Sequence, residues 1–333
     1  MKKIAIESMT TTKTADVAAT VAQINNLAQI GCDLIRVAVP DIESADAITG
    51  IKESITIPLV ADIHFDHRLA LRAIEAGADK IRINPGNIGG DENVKAVAAA
   101  CNKKNIPIRV GVNSGSLEKK LLIKHGGVTA EAMVESAMNH VKLLNNYDFD
   151  NIWLSAKTSN VPLTVKTYRL LSEQTNYPLN LGITEAGTEY NGIIKSSIGI
   201  GALLLDGIGD TIRVSLTAEP EKEIEAAKAI LKALNLRPGT DIISCPTCGR
   251  CNIDIIGITN VVEKRLYRRE DSSKNLTIAI MGCAVNGPGE AKQADYGIAG
   301  GDGEGLIFAK GEIIKKVPME NLVDELMLAL ETV

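Results

Sequence analysis

Aromatic residues are scarce in this 333-residue chain, 3% of the total with one tryptophan and three phenylalanines, which leaves few platforms on which bases could stack. Positive charge is in deficit. Lysine and arginine number 36 against 41 acidic residues, and a net charge of −5 gives no global attraction for nucleic acid. No apolar run is long enough to cross a bilayer, and MKKIAIESMTTTK at the start has only a three-residue apolar stretch before Glu7, far too short for a secretory signal. The expectation is a cytoplasmic protein that binds neither nucleic acid nor membrane. In that setting thiols stay reduced, and clustered cysteines read as metal ligands or redox groups. An anion site in such a chain must be a local cluster of cations rather than a basic surface.

What is present is ordinary for a core-forming protein, with 45% hydrophobic and 23% charged residues, and the length points to two domains rather than one. Up to about residue 237, short β-rich runs alternate with longer amphipathic stretches. The strand candidates are KIAIES (3–8), LIRVAV (34–39), PLVADIH (58–64), KIRINPG (80–86), PIRVGVN (107–113), NIWLSAK (151–157), PLNLGITEA (178–186) and TIRVSL (211–216). Helical patterns between them include 14–29, 67–76, 91–104, 129–145, 161–175 and 219–234. Pro58, Pro107 and Pro178 each open a strand, where a missing N–H costs least. Eight such units fit a (β/α)8 barrel, although a doubly wound open sheet also accommodates eight. Charged and amide side chains gather towards the carboxyl ends of the strands, where barrel active sites lie, and this favours the barrel. RPGTDIIS at 237–244 breaks the rhythm with Pro238 and Gly239 and reads as a domain boundary. The expected fold class is α/β: a (β/α)8 TIM-like barrel over 1–237, then a small α/β domain over 238–333 carrying the clustered cysteines. In that second domain a helix over 254–269, strands over 276–281 and near 305–309, and a closing helix over 318–331 are expected.

The strand-end residues include Arg36, Asp62, His64, Arg82, Asn84, Arg109, Asn113, Lys157, Glu185, Arg213 and Ser215. Five of these are cations, and Asp62 and Glu185 are too few to neutralise them. Their mutual repulsion calls for an anion among them, and the arginine fork suits phosphate or diphosphate. Any one arginine could instead pair with an acid on a neighbouring strand. Lys157 could also be an imine-forming lysine of an aldolase-type barrel. His64 reads as a general acid, a positioning donor or a structural residue, whereas His67, His125 and His140 read as surface residues. NPGN (84–87) and GSL (115–117) follow strands and offer backbone N–H groups to an anion.

Four of the six cysteines fall in SCPTCGRC (244–251) and GCAVNGPGE (282–290). The C-x2-C spacing of Cys245 and Cys248 lets two thiolates reach one metal from a tight loop, with Cys251 and Cys283 as further candidates. Spacing alone leaves a four-thiolate zinc site and an iron–sulfur cluster both open. A thioredoxin-like pair lacks its βαβ setting, and a radical-SAM motif would lie early in the barrel rather than after it. Cys32 and Cys101 stand alone and read as structural.

CPTCGR (245–250) and GCAVNGPGE (282–290), together with VADIHFD (60–66), RINPGNIG (82–89), IRVGVNSGSLE (108–118), LGITEAG (181–187), KSSIGIG (195–201) and GIGDTIRVSL (207–216), resemble the 4-hydroxy-3-methylbut-2-enyl diphosphate synthase family in its bacterial two-domain form. The resemblance covers essentially the whole chain. It implies a 4Fe–4S cluster in the second domain and reductive opening of 2-C-methyl-D-erythritol 2,4-cyclodiphosphate, within the non-mevalonate isoprenoid pathway. It also implies flavodoxin or ferredoxin as electron donor, and a homodimer in which each cluster domain covers the partner's barrel. The family's ligands fall on Cys245, Cys248, Cys283 and Glu290. Its substrate-binding residues fall on Arg36, Arg82, Arg109, Lys157 and Asn113, and its barrel carboxylate on Glu185. Asp62, His64, Asn84, Arg213 and Asn286 lie within matching motifs. Many relatives do not have cysteine at position 251. Three thiolates and one carboxylate leave an exchangeable bond on one iron, which a four-thiolate site lacks, so Cys251 is read as a bystander. Two rival readings are a phosphate-binding barrel lyase with a structural zinc domain and a non-catalytic iron–sulfur sensor.

Overall fold

Runs of β-branched and aliphatic residues at regular intervals, each followed by a capped helix, organise the first part of the chain into repeated β–α units. The computed structural model describes residues 3–84, 86–251, 253–267, 275–283, 291–301 and 303–332. The chain divides into two compact units, Met1–Leu236 and Arg237–Val333. In the first, β1 (Ala5–Met9), β2 (Leu34–Val39), β3 (Leu59–Ile63), β4 (Lys80–Ile83), β5 (Ile108–Asn113), β6 (Ile152–Lys157), β7 (Asn180–Leu181) and β8 (Thr211–Ile212) run parallel in the order β6-β5-β4-β3-β2-β1-β8-β7. A parallel bridge from Leu154 in β6 to Leu179, just before β7, joins the two ends of that order. The sheet is therefore a barrel and not an open sheet.

The strands are linked by α1 (Val17–Gln29), α2 (Ile42–Lys52), α3 (His67–Glu75), α4 (Asp91–Lys104), α5 (Lys119–His125), α6 (Ala130–Asn145), α7 (Val161–Gln174), α8 (Glu189–Leu205) and α9 (Pro220–Ala233). Asp16, Asp41, Asp66, Thr129 and Asn160 each cap a helix start by accepting a backbone N–H two or three residues on, a donor the helix itself leaves open. Barrel strands are covered on both faces, so successive residues are buried for different reasons. On β1, Ile6 belongs to the apolar cluster shared with the helices, whereas Glu7 is buried among polar groups of the barrel interior. β7 and β8 are much shorter than the stretches 178–186 and 211–216 anticipated.

The second unit is a five-stranded sheet of β9 (Thr240–Ser244), β10 (Leu276–Met281), β11 (Tyr296–Gly300), β12 (Glu304–Ala309) and β13 (Glu312–Pro318), in the order β13-β12-β11-β10-β9. β9, β10 and β11 pair in parallel, and β12 and β13 complete the sheet antiparallel. The helices α10 (Ile255–Tyr267) and α11 (Leu322–Ala329) bury Val262, Leu322 and Leu326 with Ile278, Ile280 and Ile298. Two expectations are corrected. Residues 240–244, read as part of the domain boundary, are instead the first strand of the second unit, because TDIIS pairs along β10. The closing helix starts at Leu322 rather than 318, because Pro318 ends β13 and a short 3₁₀ turn, Met319–Asn321, follows. Among the described residues no helix is long and apolar enough to cross a membrane.

Candidate active site

A recurring tetrapeptide places three of the cations. DLIR (33–36), DKIR (79–82) and DTIR (210–213) each lead a barrel strand. In each, the aspartate accepts a backbone N–H near the start of a neighbouring strand: Asp33 from Ile6 at 2.9 Å, Asp79 from Leu59 at 2.6 Å and Asp210 from Leu179 at 2.8 Å. That bond fixes where the strand begins, so the arginine three residues later arrives at a set height in the barrel. Arg36, Arg82 and Arg213 are delivered in this way.

Asp62 on β3 gathers two of them. It lies 2.9 Å from Arg82 Nη1 and 3.7 Å from Arg36 Nε, with His64 Nε2 at 3.5 Å from Asp62 and 3.3 Å from Arg82 Nη1. Burial alone would raise the Asp62 pKa, but the hydrogen bond from His64 and the fields of Arg36 and Arg82 hold it far below the usual carboxylate range. Arg36 directs Nε and Nη2 at the Met9 sulfur, at 3.2 and 3.0 Å. A thioether is a weak acceptor, so this fork is held without being strongly engaged. Arg82 lies across Gly111, where a β-carbon would come within 2.5 Å of its Nε.

Arg109 departs from expectation. It is the second residue of β5, well below the carboxyl end, and only 1% exposed. It pairs with Glu7, a carboxylate absent from the sequence-based charge count and itself 1% exposed. Burial alone would push the Glu7 carboxyl up, yet the fields of Arg109, Arg36 and Lys157 bring it down to about 2. Asn180 on β7 donates to Glu7 at 3.3 Å and to Thr211 Oγ1 at 2.6 Å, and its Oδ1 accepts from Lys157 Nζ at 2.7 Å. Burial drives the Lys157 ammonium well below its usual range; Glu7 opposes this, whereas Arg109, Arg213 and Arg36 add to it. Glu7 and Asp62 thus face five cations, a formal excess of three positive charges. Arg109 Nε and Nη2 and Arg213 Nε are buried donors without a partner among the described residues.

The remaining barrel candidates surround this cluster or stand apart from it. Asn84 is buried and accepts from the Gly86 N–H at 3.1 Å, and Asn113 ends β5 and caps the turn Ser114–Ser116. Glu185 is exposed on the turn after β7, with φ at 51°, and makes no ion pair with a described residue. It therefore neutralises none of the cations. His140 is not a surface residue: it is 6% exposed and lies 3.5 Å from Glu118. His125 is likewise partly buried, 2.8 Å from Glu135.

In the second unit, Cys245 follows β9 directly and Cys283 follows β10 by two residues, at the same ends of adjacent parallel strands. Cys248 is exposed on the loop between β9 and α10. The Gly282 N–H donates to Cys245 Sγ at 3.1 Å. Cys251 lies beside the same glycine. Its thiol donates to the Ile253 carbonyl at 3.3 Å, and it lies so close to Gly282 that a β-carbon there would be 2.5 Å from its sulfur. Among the described residues no three His, Cys, Asp or Glu side chains form a metal centre, and Asn286 and Glu290 lie outside the described residues. Two thiols at the ends of adjacent strands, one of them accepting a backbone N–H, with Cys248 on the loop that follows β9, supply the soft donors that an iron–sulfur cluster takes. Cys32 and Cys101 are buried, which pushes both thiols up to about 12, and they take no part in this arrangement.

Comparison with known proteins agrees along the whole chain. The family described as GcpE TIM-barrel domain matches residues 1–228, and that described as GcpE protein C-terminal domain matches 241–332. A protein of Clostridium perfringens named 4-hydroxy-3-methylbut-2-en-1-yl diphosphate synthase (flavodoxin) is 59% identical over 332 residues, covering 99% of this chain and 94% of its own. A protein of the same name from Fusobacterium nucleatum is 59% identical over 324 residues, covering 97% of this chain and 91% of its own. Among solved structures, dihydropteroate synthase of Stenotrophomonas maltophilia superposes with a TM-score of 0.51 at 13% identity, over 70% of this chain and 93% of its own, a likeness of fold alone. With both domains matched and identity near 60% to full-length relatives, the chain belongs to the GcpE family of 4-hydroxy-3-methylbut-2-en-1-yl diphosphate synthases.

Proposed function

We propose that this chain opens 2-C-methyl-D-erythritol 2,4-cyclodiphosphate by reductive dehydroxylation to 4-hydroxy-3-methylbut-2-enyl diphosphate, taking two electrons from flavodoxin, the donor in its relatives' names. The observation that supports a diphosphate substrate in the barrel is the cation cluster itself. Five cations face two carboxylates, and buried donors of Arg109 and Arg213 have no partner among the described residues. Buried unpaired donors are costly, and an oxyanion satisfies both the donors and the excess charge.

The reaction gives that excess a catalytic use. Breaking the ring C–O bond turns a cyclic diphosphate diester into a linear diphosphate with one more ionisable oxygen, so negative charge grows on the phosphates as the bond breaks. Arg36, Arg82, Arg109, Arg213 and Lys157 would meet that growing charge with donors already in place, stabilising the late stages more than the bound substrate. Asn84, Asn113 and Asn286 would add polar contacts, with His64 and Asp62 orienting Arg82 and Arg36. Glu185, carried on an exposed turn at the barrel's active end, would deliver the proton with which the hydroxyl leaves as water. Cys245, Cys248 and Cys283, with Glu290, would hold a 4Fe–4S cluster, which when bound supplies electrons singly and a Lewis-acidic iron. A depressed lysine also suits imine chemistry, but the arginines around Lys157 favour an anion there.

A homodimer with sites completed across subunits and a cytoplasmic setting belong to the same proposal. The test is turnover of the cyclic diphosphate with reduced flavodoxin, set beside calorimetric binding of the same compound. Lys157→Met and Arg213→Ala should lose binding while keeping the brown cluster spectrum. Full binding in both variants would place the diphosphate elsewhere.

A further inference from the structure

Glu7 is an unexpected residue at the centre of an anion site. Strands β1 and β5 stand four places apart in the ring of eight, so the Glu7–Arg109 pair spans the barrel interior. If the interior needed only packing, an apolar side chain would avoid burying a charge. If the site needed only positive charge, a carboxylate would weaken it. What a carboxylate does here, and neither alternative can, is determine which nitrogen each cation uses internally.

Arg109 gives Nη1 to Glu7, and its Nε and Nη2 have no partner among the described residues. Those two N–H groups lie on the same edge of the guanidinium and form the fork that grips an oxyanion with two parallel bonds. Asn180 extends the arrangement. Its amide nitrogen is oriented by Glu7 and Thr211, which turns its oxygen to Lys157 Nζ. We propose that Glu7 is a positioning residue of the diphosphate site, fixing Arg109 by one terminal nitrogen and, through Asn180, seating a charged Lys157 beside it. The proposal rests on the reading of the barrel as a diphosphate site.

Lys157 provides a readout that simple loss of stability would not move. The charged groups around it are Glu7 on β1, Arg36 on β2, Arg109 on β5 and Arg213 after β8, with the Asp62–Arg82 pair on β3 and β4 beyond. Glu7 is the carboxylate among the four nearest, and its field favours the ammonium. In Glu7→Gln the lysine has only cations as charged neighbours, so it gives up its proton at lower pH and the site loses anion affinity earlier as pH rises.

The experiment measures the dissociation constant of inorganic pyrophosphate by calorimetry on the full-length, cluster-loaded protein, from neutral to alkaline pH. Glu7→Gln should displace the alkaline fall in affinity downward by about one pH unit. Glu7→Asp, which restores the charge, should return it most of the way, and Asn180→Ser should displace it in the same direction as Glu7→Gln. A folded Glu7→Gln protein with the wild-type pH limb, or a Glu7→Asp protein no different from Glu7→Gln, overturns the proposal. If Glu7→Gln does not fold, Asn180→Ser carries the test, and an unmoved limb there overturns it. Wild-type protein that binds no pyrophosphate, or binds it equally after Arg36→Ala and Arg213→Ala, overturns the diphosphate reading and this proposal with it.

Discussion

Two glycines allow the cation cluster to be perturbed without touching a charge. A β-carbon at Gly111 would lie 2.5 Å from Arg82 Nε, 2.8 Å from Nη2 and 3.0 Å from Cζ. Ordinary carbon contacts are about 3.5–4.0 Å, so in Gly111→Ala the guanidinium must retreat by about 1 Å. Arg82 is held by Asp62 at 2.9 Å and is 7% exposed, so it cannot retreat without loosening that bond. Hydrogen bonds to charged groups contribute about 1.5–3 kcal/mol, and losing half of one would weaken pyrophosphate binding roughly tenfold. The methyl meets a side chain rather than backbone, so stability should fall by about 1–2 kcal/mol, less than where backbone must move.

Gly182 is the contrasting case. A β-carbon there would sit 2.4 Å from the Arg213 carbonyl oxygen and 2.9 Å from Lys157 Nζ. Here backbone must move, and the loops after β7 and β8 have to part, at a cost of about 3 kcal/mol. The assay pairs urea unfolding with pyrophosphate calorimetry on both variants. Gly111→Ala should show mainly a binding defect, and Gly182→Ala a defect in both measurements. A folded Gly111→Ala protein with wild-type affinity, or a Gly182→Ala protein as stable as wild type, would refute the packing argument.

The second unit makes its own prediction. Cys251→Ser should retain wild-type iron and sulfide content, because its thiol is engaged with the Ile253 carbonyl, whereas Cys283→Ser should lose most of both; iron and sulfide analysis after anaerobic reconstitution decides. The Glu7 carboxyl is lowered from 4.5 to about 2 in the folded protein, so its stabilisation is present above 4.5 and is lost as pH falls towards about 2. Urea midpoints over that interval should therefore fall more steeply for wild type than for Glu7→Gln, and parallel curves would contradict the assignment. For a shared dimer site, Lys157→Met chains mixed with Cys283→Ser chains should recover about a quarter of wild-type turnover once exchange is shown, and none if each chain closes on itself. Arg109→Ala is unsuited to that mixture, since it strands Glu7 as a buried unpaired charge at about 3–5 kcal/mol.

The β–α rhythm was legible because parallel barrel strands are short, nearly continuous apolar runs, and the caps between them are single polar residues at helix starts. Closure was legible only indirectly, from the charged and amide residues gathered at the carboxyl ends of the strands. It depends on one pairing, Leu154 with Leu179, between segments whose local patterns are the same in an open sheet. β11 and β13 were missed for opposite reasons. YGIAG has little β-branched character, and EIIKKVP is a mostly exposed edge strand in which charge masks the alternation. The buried Glu7 was missed because KIAIES reads as a strand fading into polar residues, and nothing local tells an inward carboxylate from an outward one.

The sequence did carry a signal for the cation cluster that strand-by-strand reading passes over. DLIR, DKIR and DTIR repeat an anchor and a cation at fixed spacing in three strands that are not all neighbours: β2, β4 and the β8 segment. The anchor bonds a neighbouring strand, so spacing along the chain becomes height along the barrel. PIR at 107–109 lacks the aspartate, and Arg109 differs accordingly, lying deep and held by a carboxylate from across the ring. The three anchored arginines therefore take their height from local sequence, whereas Arg109 takes its place from a tertiary contact with Glu7. An arginine held by a local anchor should tolerate changes across the barrel. Arg109 should not, which makes Glu7 the position where one substitution perturbs the site most broadly.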